Sequence, residues 1–161
     1  MRSSLVIAAA TAALATAAAP ALAAPPHLGC RDANGPRFIP RHAIGPLAAI
    51  GGVDYYADPA AFERYRMEDG GYGAKAPPTV RRGRTVTISI ARRDRDVGEI
   101  ALGGVHADSY RLTACPRRRW SAWPGGFRLK RPTCLHLTAR ERGSRRVHRT
   151  VLSFGMGDSC G

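Results

Sequence analysis

Lysine is nearly missing from this chain. Only Lys75 and Lys130 appear among its 25 basic side chains, so arginine carries the positive charge, against 12 Asp and Glu. Aromatic residues are sparse, at 7% of the sequence, which makes each buried ring a large fraction of any core. Beyond residue 23 no stretch approaches the ~20 apolar residues of a membrane-spanning helix, which excludes a helical span there. No two cysteines stand in CxxC spacing, no histidines fall in HExxH, and no two lie four apart. A metal centre is therefore not expected, because two scattered ligands without a third make a poor site. GxSxG is also missing, and no carboxylate pair stands in a context that would raise a pKa, so neither a serine hydrolase nor a glycosidase is indicated. No cofactor is expected.

What is present begins with a targeting pattern. Met1-Arg2-Ser3-Ser4 carries one positive charge, and an uncharged apolar run follows from Leu5 to Ala19. Pro20 ends that run, and Ala21-Leu22-Ala23 places small residues at −3 and −1 of a cleavage site. Residues 1–23 are predicted to be a signal peptide, residues 24–42 an extended leader, and residues 43–161 the folded domain. A retained anchor would need a longer and more apolar run. Lipidation at Cys30 would need an apolar residue where His27 stands, and would leave an odd number of thiols. Secretion makes the four cysteines, Cys30, Cys115, Cys134 and Cys160, a disulfide set with three possible pairings. Cys115 ends one expected strand and Cys134 opens another, with Pro124-Gly125 midway as a chain reversal. Cys115–Cys134 is the expected bridge, leaving Cys30 to pair with Cys160.

Charge is unevenly placed. Residues 24–79 hold six basic and six acidic side chains, whereas residues 80–161 hold eighteen and six, a net of +12. Such asymmetry argues for an anionic partner. GC-rich coding produces the same Arg-, Ala- and Gly-rich composition, so both readings stand on sequence alone.

Periodicity points to β-structure. Arg84-Thr85-Val86-Thr87-Ile88-Ser89-Ile90 alternates strictly, with Val86, Ile88 and Ile90 on one face. Further strands are predicted over 43–50, broken by Gly45-Pro46, and over 99–105, 109–115, 127–130, 135–138 and 147–154. One helix is expected, with Asp58 as N-cap, Pro59 at its first position and Phe62 facing inward. Its two turns are expected to end at Gly70-Gly71-Tyr72-Gly73, with a loop over 74–78. Short strands separated by polar turns predict an all-β antiparallel Ig-like β-sandwich with one short helix and two disulfides.

Several stretches resemble small secreted actinobacterial proteins of uncharacterised function. They are residues 75–88, Trp123-Pro124-Gly125-Gly126-Phe127, Arg131-Pro132-Thr133-Cys134 and Ser153-Phe154-Gly155. The likeness covers most of residues 43–160 and implies a secreted β-fold, with no site chemistry to carry over.

Arg117-Arg118-Arg119-Trp120-Ser121-Ala122-Trp123 sets three arginines beside two indoles, a candidate platform for a polyanion or a sugar. Trp packing in a sandwich core gives one of those indoles a purely structural role. Trp123, next to the Pro124 turn, is expected to be the packed ring, and Trp120 the exposed one. One ring of Tyr55-Tyr56 is likewise expected in the core. Gly157-Asp158-Ser159-Cys160-Gly161 resembles the nucleophile turn of trypsin-like proteases, but Cys160 occupies the glycine position and no strand follows to build a pocket. The function expected is a secreted, non-enzymatic binding or interaction module for an anionic cell-envelope polymer or a protein. The binding residues expected are Arg117, Arg118, Arg119 and Trp120. One alternative is a small secreted hydrolase or inhibitor using Asp158 and Ser159, or His136 and His148 on adjacent strands. The other is a cationic membrane-active protein, although no basic amphipathic helix is visible.

Overall fold

Alternation of buried and exposed side chains builds the central strand: over Thr85–Ile90 every second residue is buried, as the sequence pattern requires. The computed structural model describes residues 24–35 and 42–160. The expected signal peptide lies outside the described residues, as do residues 36–41 of the expected leader. The strands in chain order are β1 (His27–Leu28), β2 (His42–Ile44), β3 (Ala48–Ile50), β4 (Tyr72–Ala74), β5 (Pro78–Arg81), β6 (Thr85–Ile90) and β7 (Gly98–Leu102). They continue with β8 (Val105–Ala107), β9 (Ser109–Thr113), β10 (Trp120–Ala122), β11 (Gly125–Leu129), β12 (Thr133–Glu141) and β13 (Val147–Phe154). A single α-helix, α1 (Pro59–Glu63), interrupts them.

The strands form three sheets, ordered β1-β9-β6-β12-β13, β10-β5-β3-β2 and β4-β11-β7-β8. All pairings are antiparallel except β1 with β9, which run parallel. The fold is thus all-β with one short helix and two disulfides, and the two four-stranded sheets share a single hydrophobic core with the five-stranded one. That core contains Ile88 of β6, Leu135 and Leu137 of β12, Val80 of β5, Ile100 of β7 and Phe127 of β11. The inner face of the five-stranded sheet is therefore covered, and its outer face is left to solvent.

Local chemistry explains the helix. Asp58 caps it, its Oδ1 accepting the Ala61 N–H at 2.6 Å, and Pro59 sits where no N–H is needed. Such a cap is worth about 1 kcal/mol. The helix is shorter than the two turns expected. Phe62 is fully buried and stacks on Tyr72 at 4.7 Å between ring centroids, and Phe154 completes the cluster. Tyr72 was expected in the loop that ends the helix. It belongs instead to β4, pairing with Leu129 of β11. The segments over 78–81 and 120–122 also become strands rather than loops, since each finds a partner only in the folded chain. Gly126 is required at one close approach: a Cβ there would stand 1.8 Å from the Ala74 carbonyl oxygen.

The disulfide pairing expected from sequence is overturned. The bridges are Cys30–Cys115 and Cys134–Cys160, with Cα–Cα separations of 4.7 and 5.3 Å, and not Cys115–Cys134 with Cys30–Cys160. The Pro124-Gly125 reversal does not close a hairpin. Before it, β10 pairs with β5; after it, β11 pairs with β7 and β4 in a different sheet. The chain therefore carries Cys134 away from Cys115. The parallel pairing of His27 with Arg111 and Leu28 with Leu112 brings Cys30 to the end of β9. At the other bridge Cys134 lies opposite Ser153, and the turn through Gly155 and Gly157 returns Cys160 to it.

Candidate functional site

The outer face of the five-stranded sheet is built by strand parity. Register places Thr87 of β6 between Arg111 of β9 and Arg140 of β12, and Arg140 opposite Val147 of β13. One rung further, Ser109, Ser89, Thr138 and Arg149 lie in line across the same four strands. Each alternates with a residue whose side chain points to the inner face, which is why Leu112, Ile88 and Ala139 are buried while Arg111, Arg140 and Arg149 are exposed. The result is a face of hydroxyls and guanidinium groups.

Three cavities open along it and share their walls. One, of about 510 Å³, is lined by Thr87, Arg111, Arg140, Glu141, Arg142 and the turn at Gly143-Ser144. A second, of about 200 Å³, shares Thr87 and Arg140 and adds Ser89, Thr138 and Val147. The third, also about 510 Å³, shares Thr138 and continues past Arg149 to His136, Arg92 and Arg93. Together they make a trough that runs along β6 and β12. Glu141 is the acid in its wall, and Arg84 Nη1 donates to its Oε1 at 2.8 Å. Among the described residues Arg111, Arg140, Arg142 and Arg149 have no acidic side chain within ion-pairing distance.

The arginines chosen from sequence lie outside the trough, in the loop that leads into β10 at the edge of the β10-β5-β3-β2 sheet. Arg117, Arg118 and Arg119 are exposed. The Arg82 N–H donates to the Arg119 carbonyl at 3.0 Å, and Arg81 lies opposite Trp120 in the β5–β10 pair. Arg118 Nη1 also donates to the Ala33 carbonyl at 3.0 Å, which ties the loop to the N-terminal segment. Five arginines thus share one tip with a half-buried Trp120. Trp123 is completely buried and its Nε1–H donates to the Gly29 carbonyl at 3.1 Å, beside the Cys30–Cys115 bridge. The two indoles are divided as their sequence context predicts. Tyr56 is buried and Tyr55 is 75% exposed.

The structure keeps His136 and His148 apart. They sit on adjacent strands, but His136 faces outward opposite Val151, while His148 lies opposite Ala139 with its ring against Gly45. The partner His136 does have is Asp94, whose Oδ2 accepts the His136 backbone N–H at 2.7 Å and its ring Nδ1 at 2.8 Å. Asp94 is buried, with Arg93 Nε 3.8 Å from its other oxygen. Nothing in the linear sequence joins two residues 42 positions apart. The sequence offers only a charged turn in which Asp94 and Asp96 sit among arginines. Arg111, Arg140 and Arg149 were missed as well; the signal for Arg111 is its polar position in an expected strand, whereas Arg140 falls in β12 beyond the strand expected over 135–138. Asp158 and Ser159 are exposed in the C-terminal turn, and no hydrogen bond joins either side chain to a histidine. Among the described residues no group of three or more metal-ligating side chains converges.

The architecture defines a disulfide-linked β-module with a basic outer sheet face. Comparison with protein-family models, curated proteins and solved structures finds no match for it.

Proposed function

We propose that this protein is a secreted, non-enzymatic binding module for a linear anionic polymer of the cell envelope. The observation that carries the reading is the trough: connected cavities walled by Arg111, Arg140, Arg142 and Arg149 together with threonine and serine hydroxyls. Arginine forks match oxyanions in a bidentate way, and hydroxyls supply donors between them. The trough is long in one direction, which suits a chain with charges at intervals. The arginine tip at Arg117, Arg118 and Arg119, with Trp120 beside it, is a second basic patch and offers a ring on which a sugar or base could stack. Two disulfides agree with an oxidising compartment. No helix among the described residues is long and apolar enough to cross a membrane.

Binding to heparin and to polyphosphate tests the reading. Affinity should fall steeply between low and physiological salt, because counterion release drives such contacts. Reversal of Arg111, Arg140 and Arg149 to Glu, or of Arg117, Arg118 and Arg119, should weaken binding about tenfold or more, since each triad removes several phosphate or sulfate contacts. Reversal of the exposed Arg31 and Arg64 should change it little. Equal losses from all three sets would show diffuse charge with no site and refute the proposal.

A further inference from the structure

The cavity at the far end of the trough differs from the rest. It lies where β6 ends and the Ala91–Arg93 turn begins, whereas the arginine tip borders the start of β6. Six residues of strand separate the two, roughly 20 Å. The walls here are mixed: Ala91, Arg92 and Arg93 follow the end of β6 on one side, Arg149 and Val151 belong to β13 on the other, and His136 and Thr138 of β12 lie between them. Into this space comes His136, whose ring is held by the Asp94 carboxylate.

That lock fixes the ring's chemistry. An ionised carboxylate can only accept hydrogen bonds, so Asp94 holds the proton on Nδ1 and leaves Nε2 as the free ring nitrogen. Nε2 is then an acceptor when the ring is neutral and a donor when it is protonated. The same carboxylate takes the backbone N–H of His136, so the residue is held at two points. Such a group, in a cavity that Arg92, Arg93 and Arg149 also line, matches one kind of anion better than others. A phosphomonoester has its second pKa near 6, so it can donate an O–H to neutral Nε2 or accept from protonated Nε2. A sulfate ester carries no proton at that pH and can do only the second. Ala91 and Val151, on either flank of His136, offer carbon surface to the organic part of the ester.

We infer that the Asp94–His136 cavity, at one end of the trough assigned to the polymer, is a binding site for a small phosphomonoester. The phosphoryl oxygens meet Arg92, Arg93 and Arg149, His136 Nε2 shares the phosphoryl proton, and the carbon skeleton lies against Val151 and Ala91. No covalent step is involved.

The experiment is an NMR titration of the ¹⁵N-labelled, disulfide-intact protein at neutral pH with phenyl phosphate, phenyl sulfate, phenol and inorganic phosphate. Phenyl phosphate should give saturable shifts centred on the amides of His136, Thr138 and Val151. Phenyl sulfate should bind about fivefold or more weakly, because it lacks the shared proton. Phenol should produce no saturable shift, and inorganic phosphate should bind more weakly than the ester, which separates free phosphate from an esterified ligand. Arg149→Glu should reduce phenyl phosphate affinity about tenfold, the loss of one bidentate charge contact and its replacement by repulsion. Arg64→Glu, at an exposed arginine outside the trough, should leave it unchanged. His136→Gln should erase the preference for phosphate over sulfate. If that variant fails to fold because Asp94 loses its partner, the comparison of Arg149→Glu with Arg64→Glu still decides. Equal binding of the two esters, shifts spread over the whole basic surface, or equal effects of the Arg149 and Arg64 variants would overturn the site. A failure of heparin and polyphosphate binding with phenyl phosphate binding intact would leave this site standing and remove only the polymer reading.

Discussion

Replacing Trp123 by alanine removes the largest fully buried side chain of the described core. A tryptophan buries up to about 250 Å², which at ~25 cal/mol per Å² is about 6 kcal/mol. The denatured chain already shields some ~10–40% of that area, and the alanine methyl keeps a little, so about 4 kcal/mol of transfer is lost. The hydrogen bond from Nε1–H to the Gly29 carbonyl goes too, adding about 1 kcal/mol. The sum, about 4–5 kcal/mol, agrees with the ~3–5 kcal/mol of large core truncations. Urea unfolding followed by far-ultraviolet circular dichroism, with disulfides intact, measures it without relying on indole fluorescence. The m-value should stay constant while the midpoint falls. Trp123→Phe should lie between wild type and Trp123→Ala, because it restores much of the volume but not the N–H. Trp120→Ala should stay within about 1 kcal/mol of wild type, since that ring is half-buried at a sheet edge. A cost under about 2 kcal/mol for Trp123→Ala, or an equal cost for Trp120→Ala, would refute the division of the two indoles between core and surface.

Three further outcomes are expected. Peptide mapping without reduction should recover Cys30 linked to Cys115 and Cys134 linked to Cys160; a Cys115–Cys134 peptide would refute the strand order described above. Replacing Cys134 and Cys160 by serine should cost about 3.5 kcal/mol and replacing Cys30 and Cys115 about 4.6 kcal/mol, from closed loops spanning 26 and 85 residues, measured by denaturant unfolding. Burial raises the phenol pKa of both Tyr56 and Tyr110 above the usual 10.0. Above that value the unfolded chain ionises these phenols first and so binds fewer protons than the folded one. Their contribution to stability is complete below pH 10.0 and should be lost as pH rises through the folded values, which thermal unfolding and absorbance at 295 nm would follow. Unchanged stability across that range would refute it.

Fold class was legible in the residues because its signals are local. The alternation at Thr85–Ile90 and the Asp58-Pro59 cap depend on neighbours a few positions away, and both appear in the structure as the sequence predicts. Arg111, Arg140 and Arg149 were not read as a site, since Arg140 lay beyond the strand expected over 135–138 and their alignment depends on register. Strands β4, β5 and β10 were missed too. Each has three or four residues, too few for a period to show, and each exists because a distant strand offers it hydrogen bonds.

The sequence by itself determined charge, cysteine number, strand pattern and the identity of the packed indole. Only the tertiary structure decided which cysteines pair, because pairing follows from whether a turn stays within one sheet or passes to another. The turn at Pro124-Gly125 passes to another, and the expected hairpin bridge fails for that reason. Tertiary structure likewise turned four separately spaced arginines into the wall of one trough, and set Asp94 under His136 from 42 residues away. Side-chain parity is a property of a strand, but the neighbour across the sheet is a property of register. Register depends on how every face finds its cover in a shared core.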